Sequence, residues 1–130
     1  MPATYRIDIE RKMVFTLTTG TLTDADCLKH RDQLLKDPKM DSSFDQLADC
    51  TQVTSFEVST DGVHALADHN PFGEGSRRAF VVSTDHCYGM ARMYQALTDH
   101  HAHVLTVFRD LATARNWLRL PPEDAQAETD

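Results

Sequence analysis

The chain has 130 residues, of which 41% are hydrophobic and 25% charged, and it carries a formal net charge of −7. That length is usual for one domain with a core large enough to need no disulfide or metal staple. The acidic balance argues against nucleic acid or anionic membrane as the main partner, because both require a basic footprint. Cys27, Cys50 and Cys87, an odd number at wide spacing, give neither a disulfide framework nor a zinc signature and fit a reducing compartment. The first six residues lack the apolar segment of a signal peptide, and no stretch approaches about eighteen apolar residues, so no membrane span and a cytoplasmic location are expected.

Tyr5, Ile7 and Ile9 alternate with Arg6, Asp8 and Glu10, the period of a half-buried strand, and residues 13–18 supply its hairpin partner. Gly20 is expected to end that hairpin. Thr23 reads as an N-cap with Asp24 and Asp26 in the first turn, where the helix dipole favours anions. Ala25, Leu28 and Leu35 follow at helical spacing until Pro38 stops the helix. Residues 44–50 read as a short strand centred on Leu47 and Ala48. The polar stretch 51–57 then leads to a second helix starting at Ser59 or Thr60, with Val63, Leu66 and Ala67 as its buried stripe.

Residues 70–76, Asn-Pro-Phe-Gly-Glu-Gly-Ser, give the strongest loop signal. Residues 79–82 form a continuous apolar run suited to a strand covered on both faces, and Ser83-Thr84-Asp85 caps a third helix carrying Cys87, Met90, Ala91, Tyr94 and Leu97. A last strand over 103–108 precedes a helix capped by Asp110, with Leu111, Ala114, Trp117 and Leu118 on one face. Phe80, Val82, Leu105, Val107 and Trp117 are expected to be largely buried. Pro121-Pro122 ends the last helix, so one domain over 1–120 and a disordered acidic tail over 121–130 are expected. The order predicts an α/β fold: an N-terminal β-hairpin, then alternating helices and strands, with a mostly parallel sheet of about five strands and about four helices.

That order, with the C-terminal segment from Val104 to Leu118 closing one strand on Val107-Phe108 and one helix on Ala114-Arg115-Asn116-Trp117-Leu118, resembles STAS-like proteins of the SpoIIAA-like family, relatives of bacterial anti-sigma-factor antagonists. The stretch from Arg77 to Val82 followed by a helix is also similar to that family. The resemblance covers roughly residues 4–119 and implies the fold more than an activity. In regulatory members an Asp-Ser-Ser-Gly type turn is phosphorylated by a partner kinase. Here Ser59-Thr60-Asp61-Gly62 is the matching segment, with Thr60 at the acceptor position and Ser59 and Asp61 departing from the pattern. The CRAL-TRIO lipid carriers, of similar shape, hold apolar ligands.

Ser59 and Thr60, at a helix start, could carry or bind a phosphate on free N–H groups, and either also serves as an ordinary N-cap. Ser83, Thr84 and His86 lie at the carboxyl end of a strand, the edge where open α/β sheets place ligands, and also read as a capped helix with a solvent-facing histidine. His64 and Asp68 share a helix face, and His100, His101 and His103 cluster in sequence, but neither group makes a metal site by spacing alone. Arg77 and Arg78 could clamp an anion, although Gly73-x-Gly75 precedes a strand and is no phosphate fingerprint. No nucleophile, base and orienter can be assembled, so no catalytic residue, metal or cofactor is assigned. The expectation is a non-enzymatic regulatory module that binds a protein partner, with a homodimer as the self-associating variant. The alternative is a small-molecule or lipid-like carrier or sensor, with a pocket between helices and sheet and the Met90, Met93, Tyr94 segment as its sequence feature.

Overall fold

The computed structural model describes residues 2–98 and 104–121. Their elements run β1 (Ala3–Asp8), β2 (Met13–Thr23), α1 (Asp24–Lys36), β3 (Asp45–Glu57), α2 (Thr60–Ala67), β4 (Arg77–Val81), α3 (Asp85–Leu97), β5 (Val104–Phe108) and α4 (Leu111–Trp117). The five strands form one sheet in sequence order. The expected mostly parallel sheet is a mixed one: β1 pairs antiparallel with β2, and the pairs from β2 to β5 are parallel. His100, His101 and His103, and all but the first residue of the expected tail over 121–130, lie outside the described residues.

Two strands are longer than the sequence pattern suggests. Gly20 does not end β2; at φ 67° it sits in a bulged stretch, with register shifts between Leu17 and Thr19 and between Gly20 and Thr21. Glycine takes a positive φ without steric cost, so the strand bends there and continues. The extension in turn gives the polar stretch 51–57 a partner, pairing Leu22 with Phe56 and Thr23 with Glu57. Val53 then points inward and is buried.

Each crossover through α1, α2 and α3 steps one strand along the sheet in the same direction, and crossovers of a single hand therefore stack these helices on one face. The cores follow that division. Val63 of α2 and Cys87, Ala91 and Tyr94 of α3 pack with Leu22, Val53, Val82 and Leu105. Ala114 and Leu118 of the α4 segment pack on the opposite face with Met13, Phe15, Leu47, Ala79 and Val81. Strand alternation makes both possible: Arg78, Phe80 and Val82 face α1–α3, while Ala79 and Val81 face α4.

Val82 and Leu105 are buried as expected, but Phe80, Val107 and Trp117 are only half-buried. Phe80 stacks on Tyr94 with ring centroids 5.8 Å apart and also borders a cavity. Trp117 is covered on one side by the Arg77 guanidinium, 4.3 Å from its ring centroid, and on another by Phe108 at 5.5 Å. Trp117→Ala should therefore cost about 3 kcal/mol in urea unfolding, and Arg77→Ala about 0.5–1 kcal/mol. A loss under about 1 kcal/mol for Trp117→Ala would mean that α4 adds little to the domain.

Candidate functional site

Between the sheet and helices α1–α3 lies a cavity of about 140 Å³. Its floor comes from one face of three adjacent strands: Thr16 and Thr18 of β2, Gln46, Ala48 and Cys50 of β3, and Arg78 and Phe80 of β4, with Val82 just beyond. The spacing of two along each strand puts all of them on the same side. The roof is helical, with Cys27, His30, Arg31 and Leu34 of α1 repeating at three and four, Val63 and Leu66 of α2, and Cys87, Met90, Ala91 and Tyr94 of α3. Of the segment that carried the carrier expectation, Met90 and Tyr94 line the cavity and Met93 packs against the neighbouring core.

One end of this apolar space is polar. Arg78 is 5% exposed; its Nε donates to Gln46 Oε1 at 2.9 Å, and its Nη1 donates to Tyr94 OH at 2.9 Å and to Asn70 Oδ1 at 3.4 Å. Its guanidinium lies 4.4 Å from the centroid of the Phe72 ring, with Phe80 and Tyr94 at 5.2 and 5.5 Å. Because arginine can only donate, Gln46 must turn its oxygen toward Arg78 and its amide nitrogen toward Thr16, where Nε2 donates to Oγ1 at 3.1 Å. Thr16 Oγ1 also lies 3.1 Å from His30 Nε2, in a hydrogen bond whose direction follows the imidazole tautomer. The His30 imidazole is neutral in this setting. Burial, seconded by the Arg78 charge, lowers its pKa from 6.5 to about 4.

Two of the cysteines are unreactive by environment. Burial, then the charges around it, pushes Cys27 up to about 12, and burial pushes Cys50 up to about 11. Both stay protonated at neutral pH and line the cavity as small apolar groups. Cys87 is buried beside them, and all three are free thiols.

The residues singled out at the start of α2 lie away from this cavity. Ser59 is the N-cap of α2 and accepts from the Gly62 N–H at 3.0 Å, and its hydroxyl donates to Asp24 Oδ2 at 2.6 Å. Asp24 Oδ1 takes the Ser59 N–H at 2.8 Å, so a carboxylate from α1 already occupies the positive end of α2. These hydrogen bonds hold the Asp24 carboxyl below the ordinary carboxylate value. A Cβ at Gly62 would lie 2.0 Å from Asp24 Oδ1, which explains the glycine. Thr60, the first residue of α2, is exposed. At the other end of α2, Arg31 Nη1 donates to the carbonyls of Ala65 and Asp68 at 2.9 and 3.2 Å.

At the carboxyl end of β4, Ser83 donates to the Thr51 carbonyl at 3.3 Å and Thr84 caps α3 by accepting from the Cys87 N–H at 3.1 Å. His86 is exposed and meets Phe56 edge-on at 5.5 Å, and Asp85 pairs with Arg109 at 3.1 Å. His64 and Asp68 are both exposed on or just after α2. Among the described residues no group of three or more His, Cys, Asp or Glu side chains is placed to hold a metal.

Arg77 and Arg78, adjacent in the expected anion clamp, are separated by strand alternation, Arg77 onto Trp117 and Arg78 to the cavity lining. Thr16, His30 and Gln46 carried no signal of their own. The usable clue was a charged residue at period two with Phe80 and Val82, on the face of a strand that the helices must cover.

No family model matches the sequence, and no curated protein matches it. Among solved structures the chain is similar to an uncharacterised DUF3478-family protein with a SpoIIAA-like fold from Shewanella loihica PV-4, at 15% identity and a TM-score of 0.56, over 89% of this chain and 91% of that one. The fold of this chain is SpoIIAA-like: α/β, with a five-stranded sheet and four helices. No helix among the described residues is long and apolar enough to cross a membrane.

His30 makes stability pH-dependent in a definite window. Its folded pKa of about 4 lies below its ordinary 6.5, so the unfolded chain binds the proton more readily between those values. Stability should be flat above about pH 6.5, fall by up to about 3 kcal/mol as the pH drops toward 4, and lose this slope in His30→Gln. Asp24, Asp37, Asp41 and Asp110, all held below 3.8, act only at still lower pH. Urea melts between pH 7 and 4.5 check this, and an equal slope in His30→Gln would refute it.

At α2, Ser59→Ala should cost about 1–2 kcal/mol through the lost cap, whereas Thr60→Asp should stay within about 0.5 kcal/mol of wild type. The same melts at pH 7 separate the two residues.

Proposed function

We propose that this chain is a non-enzymatic small-molecule carrier or sensor that holds its ligand between the sheet and helices α1–α3. The observation that carries this reading is the cavity of about 140 Å³ with a mainly apolar wall and a few convergent polar groups at one end. Binding sites generally combine these two features, an apolar body and a small number of placed polar anchors. Three free cysteines support a cytoplasmic setting. A regulatory role through a protein partner has the SpoIIAA-like fold in its favour, with the exposed start of α2 around Thr60 as the docking region.

A neutral aromatic probe tests the cavity directly. Saturating toluene should shift the amide resonances of Ala48, Val63 and Ala91 in heteronuclear spectra, and Ala48→Leu should abolish those shifts by filling the floor, at a cost in stability under about 1.5 kcal/mol. Wild-type spectra unchanged by toluene would overturn the reading.

A further inference from the structure

Arg78 is the least expected feature of the cavity. Arginine remains cationic at any physiological pH, and removing such a charge from water is expensive unless an anion or a full set of acceptors meets it. Its acceptors here, Gln46, Tyr94 and Asn70, are all neutral, and the neighbouring His30 is held in its neutral form. Among the described residues no carboxylate pairs with Arg78; the ion pairs involve Arg6, Arg11, Arg31 and Arg109. Nη2 makes no hydrogen bond to a described residue, yet it is not among the sealed, unpartnered nitrogens. Arg78 thus lines the cavity with one donor nitrogen, Nη2, not engaged by any described residue.

We propose that the ligand is a small aromatic or branched monocarboxylate, its carboxylate paired with Arg78 and its apolar body lying over Ala48 and Phe80. This rests on the carrier or sensor reading and adds the chemistry of the head group. A carboxylate matches the unused donor and replaces the missing counter-charge, since Arg–carboxylate pairs are the strong, directional ones. The chain is acidic overall, so its bulk charge repels anions and any preference for one has to be local. Size sets the enclosed part of the ligand: a dry apolar cavity of about 150 Å³ takes up benzene, so a ring or a short branched chain matches this one of about 140 Å³.

The test compares phenylacetate with toluene by heteronuclear NMR titration at pH 7 in chloride-free buffer, on wild type, Arg78→Met and Ala48→Leu. Wild type should bind phenylacetate at least about tenfold more tightly than toluene, with the Arg78 Nε resonance shifting only for the carboxylate. Arg78→Met should remove that preference while keeping toluene binding, and Ala48→Leu should lose both probes. Should Arg78→Met fail to fold, Arg78→Lys keeps the charge but not the fork, and phenylacetate affinity should fall by about tenfold with toluene unchanged. If toluene binds as tightly as phenylacetate to wild type, the head-group assignment is wrong and the cavity reading survives. Binding of neither probe overturns both, and phenylacetate binding unaffected by Ala48→Leu places the anion on the surface and overturns the assignment.

Discussion

A guanidinium held away from water forces order on whatever surrounds it, and in this domain the surroundings of Arg78 fix the orientation of groups in the sheet and in the helical layer of α1 and α3. Its Nε claims the Gln46 oxygen, which commits the Gln46 amide to Thr16, whose hydroxyl also bonds to His30. Three elements, β4, β3 and β2, are tied to α1 through that directional chain, and the Nη1 contact to Tyr94 adds α3. Polar groups in a low-dielectric interior strengthen one another when all are satisfied and are costly when one is not. The aromatic rings of Phe72, Phe80 and Tyr94 supply further stabilisation of the cation from their faces. His30 ends this chain in its neutral form, because a second cation beside Arg78 would meet both desolvation and repulsion.

The helical roof over this network depends on a second electrostatic arrangement. With eight residues α2 is too short to persist by propensity. It is held at both ends by α1: Asp24 lies against its positive N-terminus, and Arg31 takes up carbonyls at its negative C-terminus. The two helices therefore behave as one unit above the cavity, and Gly62 is required because the Asp24 carboxylate occupies the space of a Cβ.

Much of the fold was legible in the sequence because each element carried its own signal. Thr23, Ser59, Thr84 and Asp110 are all N-caps in the structure, and alternation or helical spacing identified the elements that follow or precede them. What escaped were features set by partners. The extension of β2 through Gly20 and of β3 through residue 57 exists because each lends hydrogen bonds to the other, and a polar stretch gives no local hint of that. Phe80 was expected in the core on hydrophobicity alone, yet it borders open space because Ala48, Ala91 and the cysteines opposite it are small. The site was nearly invisible for a related reason: Thr16, His30, Gln46 and Arg78 are separated by up to 62 positions and converge only through strand register, with Gln46 opposite Arg78 and Thr16 opposite Ala48.

That register also gives the cavity a polarity along the strands. On β4 the lining runs from Arg78 through Phe80 to Val82, and on β3 from Gln46 through Ala48 to Cys50. In both, the polar residue stands toward the N-terminal end of the strand and the apolar ones toward its C-terminal end. Open α/β sheets more commonly gather their ligand-binding groups outside the carboxyl ends of the strands, often beside helix N-termini that favour anions. Here those helix starts are already satisfied from within: Asp24 lies on α2, and Thr84 caps α3. The sheet face itself consequently runs from a cationic end at Arg78 to an apolar end at Val82, and the parallel strands, by carrying the same order side by side, turn a repeated sequence direction into a direction along the cavity.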